Sequence, residues 1–150
     1  MPSDPKVSGE AIEDHHLSLL QELKTVVTIP VSMKLSPFFS SLPHFVHQAE
    51  TAGAAGISLF NRFFQPDIDL ETLTVVDRIQ LSSPADTLLG MRWIAILRSH
   101  TSITLAATGG VYGHEEAMKL LLAGADKVAV NSAAVTRPEV VGEIAEKFGS

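Results

Sequence analysis

The sequence predicts an α/β protein built on a parallel sheet, on three observations. Four short apolar or alternating runs are each followed by a segment with helical spacing of its apolar residues. Glycine closes two of the helical segments, at Gly53 and Gly124, and each leads straight into another strand-like run. The chain has 150 residues, 45% hydrophobic and 19% charged, which suits one packed domain. Strands that alternate with helices make parallel neighbours joined by right-handed crossovers.

Residues 1–9 are polar and carry Pro2, Pro5 and Gly9, so they read as a loose arm ahead of a single domain. From Glu10 to about Val27, Ile12, Leu19, Leu20, Leu23 and Val26 give an amphipathic helix. Pro30 ends it, and the alternation from Val31 to Ser36 gives the first strand. Ser41 is placed to cap a second helix whose inner face carries Leu42, Phe45, Val46, Ala49 and Ala52. Gly56 to Asn61 is the second strand. In the less regular stretch from Arg62 to Ser83, the alternating runs Asp67–Leu70 and Arg78–Leu81 suggest a small hairpin outside the main sheet. Ser83-Pro84 marks a helix start, with Leu88, Met91, Trp93, Ile94 and Leu97 as its apolar surface. Ile103–Ala107 is the third strand, ending in Thr108-Gly109-Gly110. A helix from about His114 to Ala123 follows, then the fourth strand at Lys127–Asn131. Thr136-Arg137-Pro138-Glu139 reads as a capping box before a last helix that buries Val140, Val141, Ile144, Ala145 and Phe148. The helix-end, glycine and strand pattern around Gly53 is echoed around Gly124. Internal duplication and convergence on one favoured loop both account for that echo.

Charge and composition narrow the function. The 17 acidic and 11 basic residues leave a net charge of −6, with no basic run, which argues against a nucleic-acid partner. There is no cysteine, so thiolate catalysis, disulfides and cysteine metal sites are excluded for these residues. No apolar run reaches the about 18 residues of a membrane span, and Met1–Glu10 lacks a signal pattern, so no membrane partner and a cytoplasmic location are expected.

Parallel sheets bind ligands at the carboxyl ends of their strands, and those ends carry Lys34, Asn61, Gly109, Gly110, Asn131 and Ser132. Gly109-Gly110 lies between a strand and a helix, where bare backbone and free N–H groups suit an anion; a plain tight turn uses the same residues. The small residues from Asn131 to Ala134 leave room for a short helical turn aimed at the same phosphate. Lys34, flanked by Met33 and Leu35, is costly inside a barrel without an anion, unless it escapes to solvent at the rim. Asn61 offers the donors and acceptor that a heterocycle edge needs, or simply serves a turn. The six histidines form no metal set, His44 and His47 being best read as an exposed helix face. No carboxylate stands at a strand end, so paired-carboxylate chemistry has no candidates.

The motifs VSMKLSPFF, GISLFNRFFQPDIDLETL, MRWIAIL and LAATGGVYGHEEAMKLLLAGAD resemble the carboxyl-terminal half of a dihydroorotate dehydrogenase-like FMN barrel, over about residues 8–126. The resemblance implies that Lys34 contacts the flavin, that Gly109 and Gly110 hold its phosphate, and that Asn61 lies near flavin or substrate. From about residue 124, GADKVAVNSAAVTRPEVVGEIAEKFGS resembles the cyclase subunit of imidazole glycerol phosphate synthase, a phosphate-binding quarter of a barrel. Two families in one chain imply a chimera. The dehydrogenase family's first four strands and its proton-abstracting Cys or Ser loop have no counterpart here, and neither do the cyclase's strand-end aspartates. Full activity of either kind is therefore not expected; a weak FMN-dependent oxidoreductase is the most the resemblance implies.

The expected architecture is a (βα)4 half of a TIM barrel with an extra amino-terminal helix. A complete (βα)8 barrel needs about 250 residues. The alternative is a four-stranded sheet flattened into a flavodoxin-like arrangement. The open edges of a half barrel invite pairing, so a homodimer is expected. The functional expectation is FMN or phosphate binding with little turnover. The competing reading is a non-catalytic barrel fragment that self-associates and binds phosphate at most; a third is a subunit completing a missing barrel half.

Overall fold

The computed structural model describes residues 4–62, 65–77 and 80–149. Helix α1 (Gly9–Val26) starts inside the segment whose composition suggests an arm, because the Ser8 side chain caps it by accepting the Ala11 N–H at 3.1 Å. The main sheet comprises β1 (Ser32–Leu35), β2 (Gly56–Leu59), β5 (Thr104–Thr108) and β6 (Lys127–Ala129), all parallel and in the order β1-β2-β5-β6. A separate antiparallel hairpin joins β3 (Pro66–Asp69) to β4 (Thr74–Asp77). Helices α2 (Leu42–Thr51), α3 (Thr87–Arg98) and α4 (His114–Leu122) connect successive strands of the main sheet, and α5 (Ser132–Thr136) and α6 (Val140–Gly149) follow it.

This order decides between the two expected architectures. Successive strands are spatial neighbours throughout, so right-handed crossovers place every connecting helix on the same side. A flavodoxin-like sheet reverses its order and is covered on both sides. The singly wound order here is that of half a barrel.

The strand register shows the consequence for side chains. Met33, Leu35, Ile57, Leu59, Leu105, Ala107 and Val128 share the face under the helices. Leu35, Ile57, Leu59, Leu105 and Ala107 there are buried, packed with Phe45 and Val46 of α2, Ile94 and Leu97 of α3, Leu120 of α4 and Val140 and Ile144 of α6. The opposite face carries Ser32, Lys34, Gly56, Ser58, Thr104, Ala106, Thr108, Lys127 and Ala129. One row across it reads Lys34, Ser58, Ala106, Lys127, with a lysine on each outer strand. Small and polar residues tolerate water, so this face needs no helices of its own.

The echo between the two halves is geometrical as well. Gly53 has φ 99° and Gly124 φ 109°, values that suit glycine. Each closes a Schellman turn: Gly53 N–H to Glu50 and Ala54 N–H to Ala49 in one half, Gly124 N–H to Leu121 and Ala125 N–H to Leu120 in the other. Beyond each, one N–H reaches back toward the preceding strand, Ala55 to Val31 just ahead of β1 and Asp126 to Leu105 within β5.

Asp126 adds a side-chain lock. Its carboxylate accepts the Leu105 N–H at 2.8 Å and the Arg98 guanidinium at 3.0 and 3.1 Å, joining α3, β5 and β6. Asp126→Ala should cost about 1–3 kcal/mol by leaving the Leu105 N–H unsatisfied, read as a lower urea midpoint.

Four local expectations change. Ser41 precedes α2, but its side chain makes no capping hydrogen bond; Pro43 at the start of the helix sets its first turn. The segment at Ser83-Pro84 opens as a 3₁₀ turn, Pro84–Asp86, before α3 begins at Thr87, and Leu88 points to solvent at 60% exposure. Thr136 does not cap α6. It closes α5, its hydroxyl donating to the Ser132 and Ala133 carbonyls, and α6 begins at Val140 with Val141, Ala145 and Phe148 exposed. The return strand of the hairpin is Thr74–Asp77, ahead of the expected Arg78–Leu81, of which residues 78 and 79 lie outside the described residues. The Asp69 carboxylate accepts the Glu71 and Thr72 N–H groups, so the chain turns immediately after β3.

Candidate functional site

The carboxyl ends of the four parallel strands open onto one cavity of ≈ 160 Å³. Five of the six strand-end residues singled out in the sequence line it: Lys34, Asn61, Gly109, Asn131 and Ser132. They come from four different strand ends and meet because the sheet is singly wound and in register. The sixth, Gly110, is not among the lining residues. A Cβ there would lie 2.5 Å from the Ser83 carbonyl oxygen and 2.8 Å from the Thr87 nitrogen, so Gly110 is the seat on which the start of α3 rests. Gly109 differs: it has φ 96° and open space where a Cβ would stand.

The floor is held by hydrogen bonds between loops. The Ser132 hydroxyl oxygen accepts from both the Ser82 N–H at 3.2 Å and the Ser82 hydroxyl at 2.7 Å, which leaves its own proton as a donor. The Tyr112 hydroxyl donates to the Ser82 carbonyl, and the Asn131 amide donates to the Thr108 hydroxyl at 3.1 Å. These bonds join the loops after β4, β5 and β6. Asn61 is fixed through its backbone N–H, which donates to the Leu35 carbonyl at 2.7 Å, leaving its side chain exposed. Lys34 is exposed at the cavity and belongs to no salt bridge among the described residues.

Among the lining residues that escaped the sequence reading, three carry polar side chains: Arg62, Ser82 and Asp86. Arg62 donates to Asp86 at 3.2 Å and to the Leu81 carbonyl at 3.2 Å, tying together the two stems of the excursion that carries the hairpin. Asp86 in turn accepts the Ser83 N–H at 2.6 Å and the Ser83 hydroxyl at 3.2 Å, completing a capping box. The Ser83-Pro84-Ala85-Asp86 spacing was the available signal for Asp86. The site thus holds a carboxylate after all, supplied by a helix start rather than a strand end.

The Ser83 N–H, with Arg62 beside it, holds the Asp86 carboxyl below the ordinary carboxylate range. The Thr101 hydroxyl does the same for Glu50. A depressed folded-state pKa contributes stability above the unfolded value and loses it as pH falls through the folded value. Stability should therefore hold from neutral pH to about pH 4 and fall below it, with a smaller fall in Asp86→Asn, as acid titrations followed by circular dichroism would show.

No group of three or more possible metal ligands occurs among the described residues, and His44 and His47 are exposed. No helix among them is long and apolar enough to cross a membrane.

The family model described as "Histidine biosynthesis protein" matches residues 59–150, more than half the chain. The chain belongs to that family. It is also 34% identical over 140 residues to the catalytic subunit of dihydroorotate dehydrogenase B (NAD(+)) of Halalkalibacterium halodurans, covering 91% of this chain and 46% of the relative. The Bacillus pumilus counterpart is 32% identical over 134 residues, 87% of this chain and 43% of the relative. The chain spans about half the length of the curated relatives it matches. Among solved structures, the ligand-free type DHODH from Eimeria tenella superposes with a TM-score of 0.69 at 16% identity, over 91% of this chain and 45% of that one, which establishes a shared fold. Both resemblances read from the motifs are therefore present, and they overlap across the second half of this histidine-biosynthesis family member.

Proposed function

We propose that this chain binds FMN through its phosphate at the strand-end cavity. The observation that carries this is the convergence of Lys34, Asn61, Gly109, Asn131 and Ser132 on one cavity. The Gly109 backbone and the free Ser132 proton are the phosphate donors, and Gly110 shapes the turn that presents them. Lys34 faces the flavin ring, and Asn61 the flavin or its substrate. The similarity to dihydroorotate dehydrogenase catalytic subunits supports a flavin-dependent origin.

Fit limits the reading usefully. Cavities for whole small-molecule ligands run to about 300–1,000 Å³. A cavity of ≈ 160 Å³ suits the phosphate and its neighbours, so the ring system extends over the bare sheet face beside Lys34, Ser58 and Ala106. Bound flavin supplies the electron-transfer chemistry. This chain's residues bind and orient it, so turnover is that of a weak flavin reductase at most. FMN added to the purified protein should stay bound through gel filtration and give flavin absorbance; a colourless protein overturns the proposal.

The small cavity also favours a second reading, a non-catalytic chimeric fragment that binds phosphate alone. Riboflavin-free protein holding inorganic phosphate and refusing FMN would select it. Under either reading the open strands β1 and β6 lead us to expect a homodimer, closed edge to edge in a cytoplasmic setting. Sedimentation at micromolar concentration should then exceed the 16.1 kDa of one chain, and a monodisperse monomer rules the dimer out.

A further inference from the structure

The helix layer ends as openly as the sheet beneath it. Helix α1 packs on α2 at one end of the layer, and α6 packs on α4 at the other. Each carries a strip of apolar side chains that the described residues leave largely uncovered. On α1 these are Leu19, Leu23 and Val26, at 49%, 43% and 76% exposure. On α6 they are Val141 and Phe148, at 48% and 43%, with the exposed Ala145 between them. Both strips follow the four-then-three spacing of a helix-packing seam.

The direction of the strips is informative. Leu19 and Leu23 each stand one position before a packed residue, the buried Leu20 and the half-buried Lys24. Val141 and Ala145 each stand one position after a buried residue, Val140 and Ile144. One position is about 100° of rotation round a helix. The two strips are therefore turned in opposite senses from the packed sides. Helices that run the same way at the two ends of one layer need opposite senses to face outward past its edges. Those edges are the open strands β1 and β6.

Exposed apolar strips beside open strands mark an interface. A second copy fits it. The chain covers 46% of the Halalkalibacterium halodurans relative and holds four parallel strands where a barrel has eight. Two copies related by a two-fold axis supply eight strands and leave no edge. Each of the two seams then sets β1 of one copy beside β6 of the other, and so α1 beside α6.

We propose that the Leu19, Leu23 and Val26 strip of α1 packs against the Val141, Ala145 and Phe148 strip of α6 in a second copy, at two equivalent seams. This rests on the homodimer reading and adds the helical surface that holds it; it does not depend on flavin. The test is sedimentation equilibrium of the full chain at micromolar concentration, without flavin. The wild type should be a dimer. Leu23→Glu and Val141→Lys each place a charge in both seams, and each alone should weaken the dimer about a hundredfold or more. Both positions are half exposed in the single chain, so circular dichroism of each variant should match the wild type. An equal mixture of the two variants should dimerise again. In the mixed dimer one seam pairs the new glutamate with the new lysine, and the other is wild type on both sides. The reversed pair, Leu23→Lys with Val141→Glu, should behave alike and serves if either first variant loses helicity. Dimers persisting in both single variants overturn this proposal and leave edge-to-edge pairing of the strands standing. A mixture that stays monomeric, loss of the dimer in one variant only, or wild-type assemblies larger than a dimer also overturn it. A monomeric wild type overturns it together with the homodimer reading.

Discussion

Replacing Gly110 by alanine should unfold or severely loosen the protein, while the same change at Gly109 should not. The two residues are adjacent and both have positive φ, 74° and 96°. The shared cost of holding alanine there is about 1–2 kcal/mol. At Gly109 that is the whole cost, because nothing lies within 4 Å of the new methyl group. At Gly110 the methyl would stand 2.5 Å from the Ser83 carbonyl oxygen and 2.8 Å from the Thr87 nitrogen. Both are backbone atoms, and neither can rotate away. The Ser83–Asp86 turn must shift, taking with it the Ser82–Ser132 hydrogen bonds that hold the cavity floor. A total loss of about 3–5 kcal/mol is expected, a large share of the stability of a domain this size. Chemical denaturation of the two variants side by side measures the contrast; equal losses would refute the packing assigned to Gly110.

The second large effect is at Phe45, on α2. Its ring is fully buried, stacked on Phe39 with centroids 4.6 Å apart and met edge-on by His16 of α1 at 6.4 Å. Phe45→Ala removes that joint contact and leaves a cavity, at an expected cost of about 3–5 kcal/mol. The effect reaches the site because α2 connects the strand of Lys34 to the strand that leads into Asn61. Thermal unfolding reports the stability, and a loss below 1 kcal/mol would mean that α1 does not pack there as described.

What the sequence revealed and what it hid follow one physical divide. Period and punctuation are local, so the four main strands and the helices between them were legible from alternation, helical spacing and the glycines at 53 and 124. The strand ends were legible for the same reason, and five of their six candidate residues meet at one cavity. Arg62 and Asp86 stand 24 positions apart and belong to no shared pattern, so only the folded chain reveals their pair. Exposure at Leu88, Val141 and Phe148 was misjudged because helical spacing locates a stripe without saying how wide a neighbour covers it. The capping box read at Thr136 failed because the Thr136 hydroxyl is committed to closing α5. The displaced return strand of the hairpin came from a turn fixed by the Asp69 side chain, which alternation does not register.

The central claim is that the cavity recognises the phosphate of a flavin nucleotide. The most direct measurement compares FMN with riboflavin by fluorescence titration of the full chain, since the two share a ring system and differ in the phosphate. The account predicts that FMN binds at least about tenfold more tightly, as charge-assisted bonds to the Gly109 and Ser132 donors require. Equal affinity for the two, or no binding of either, would contradict it.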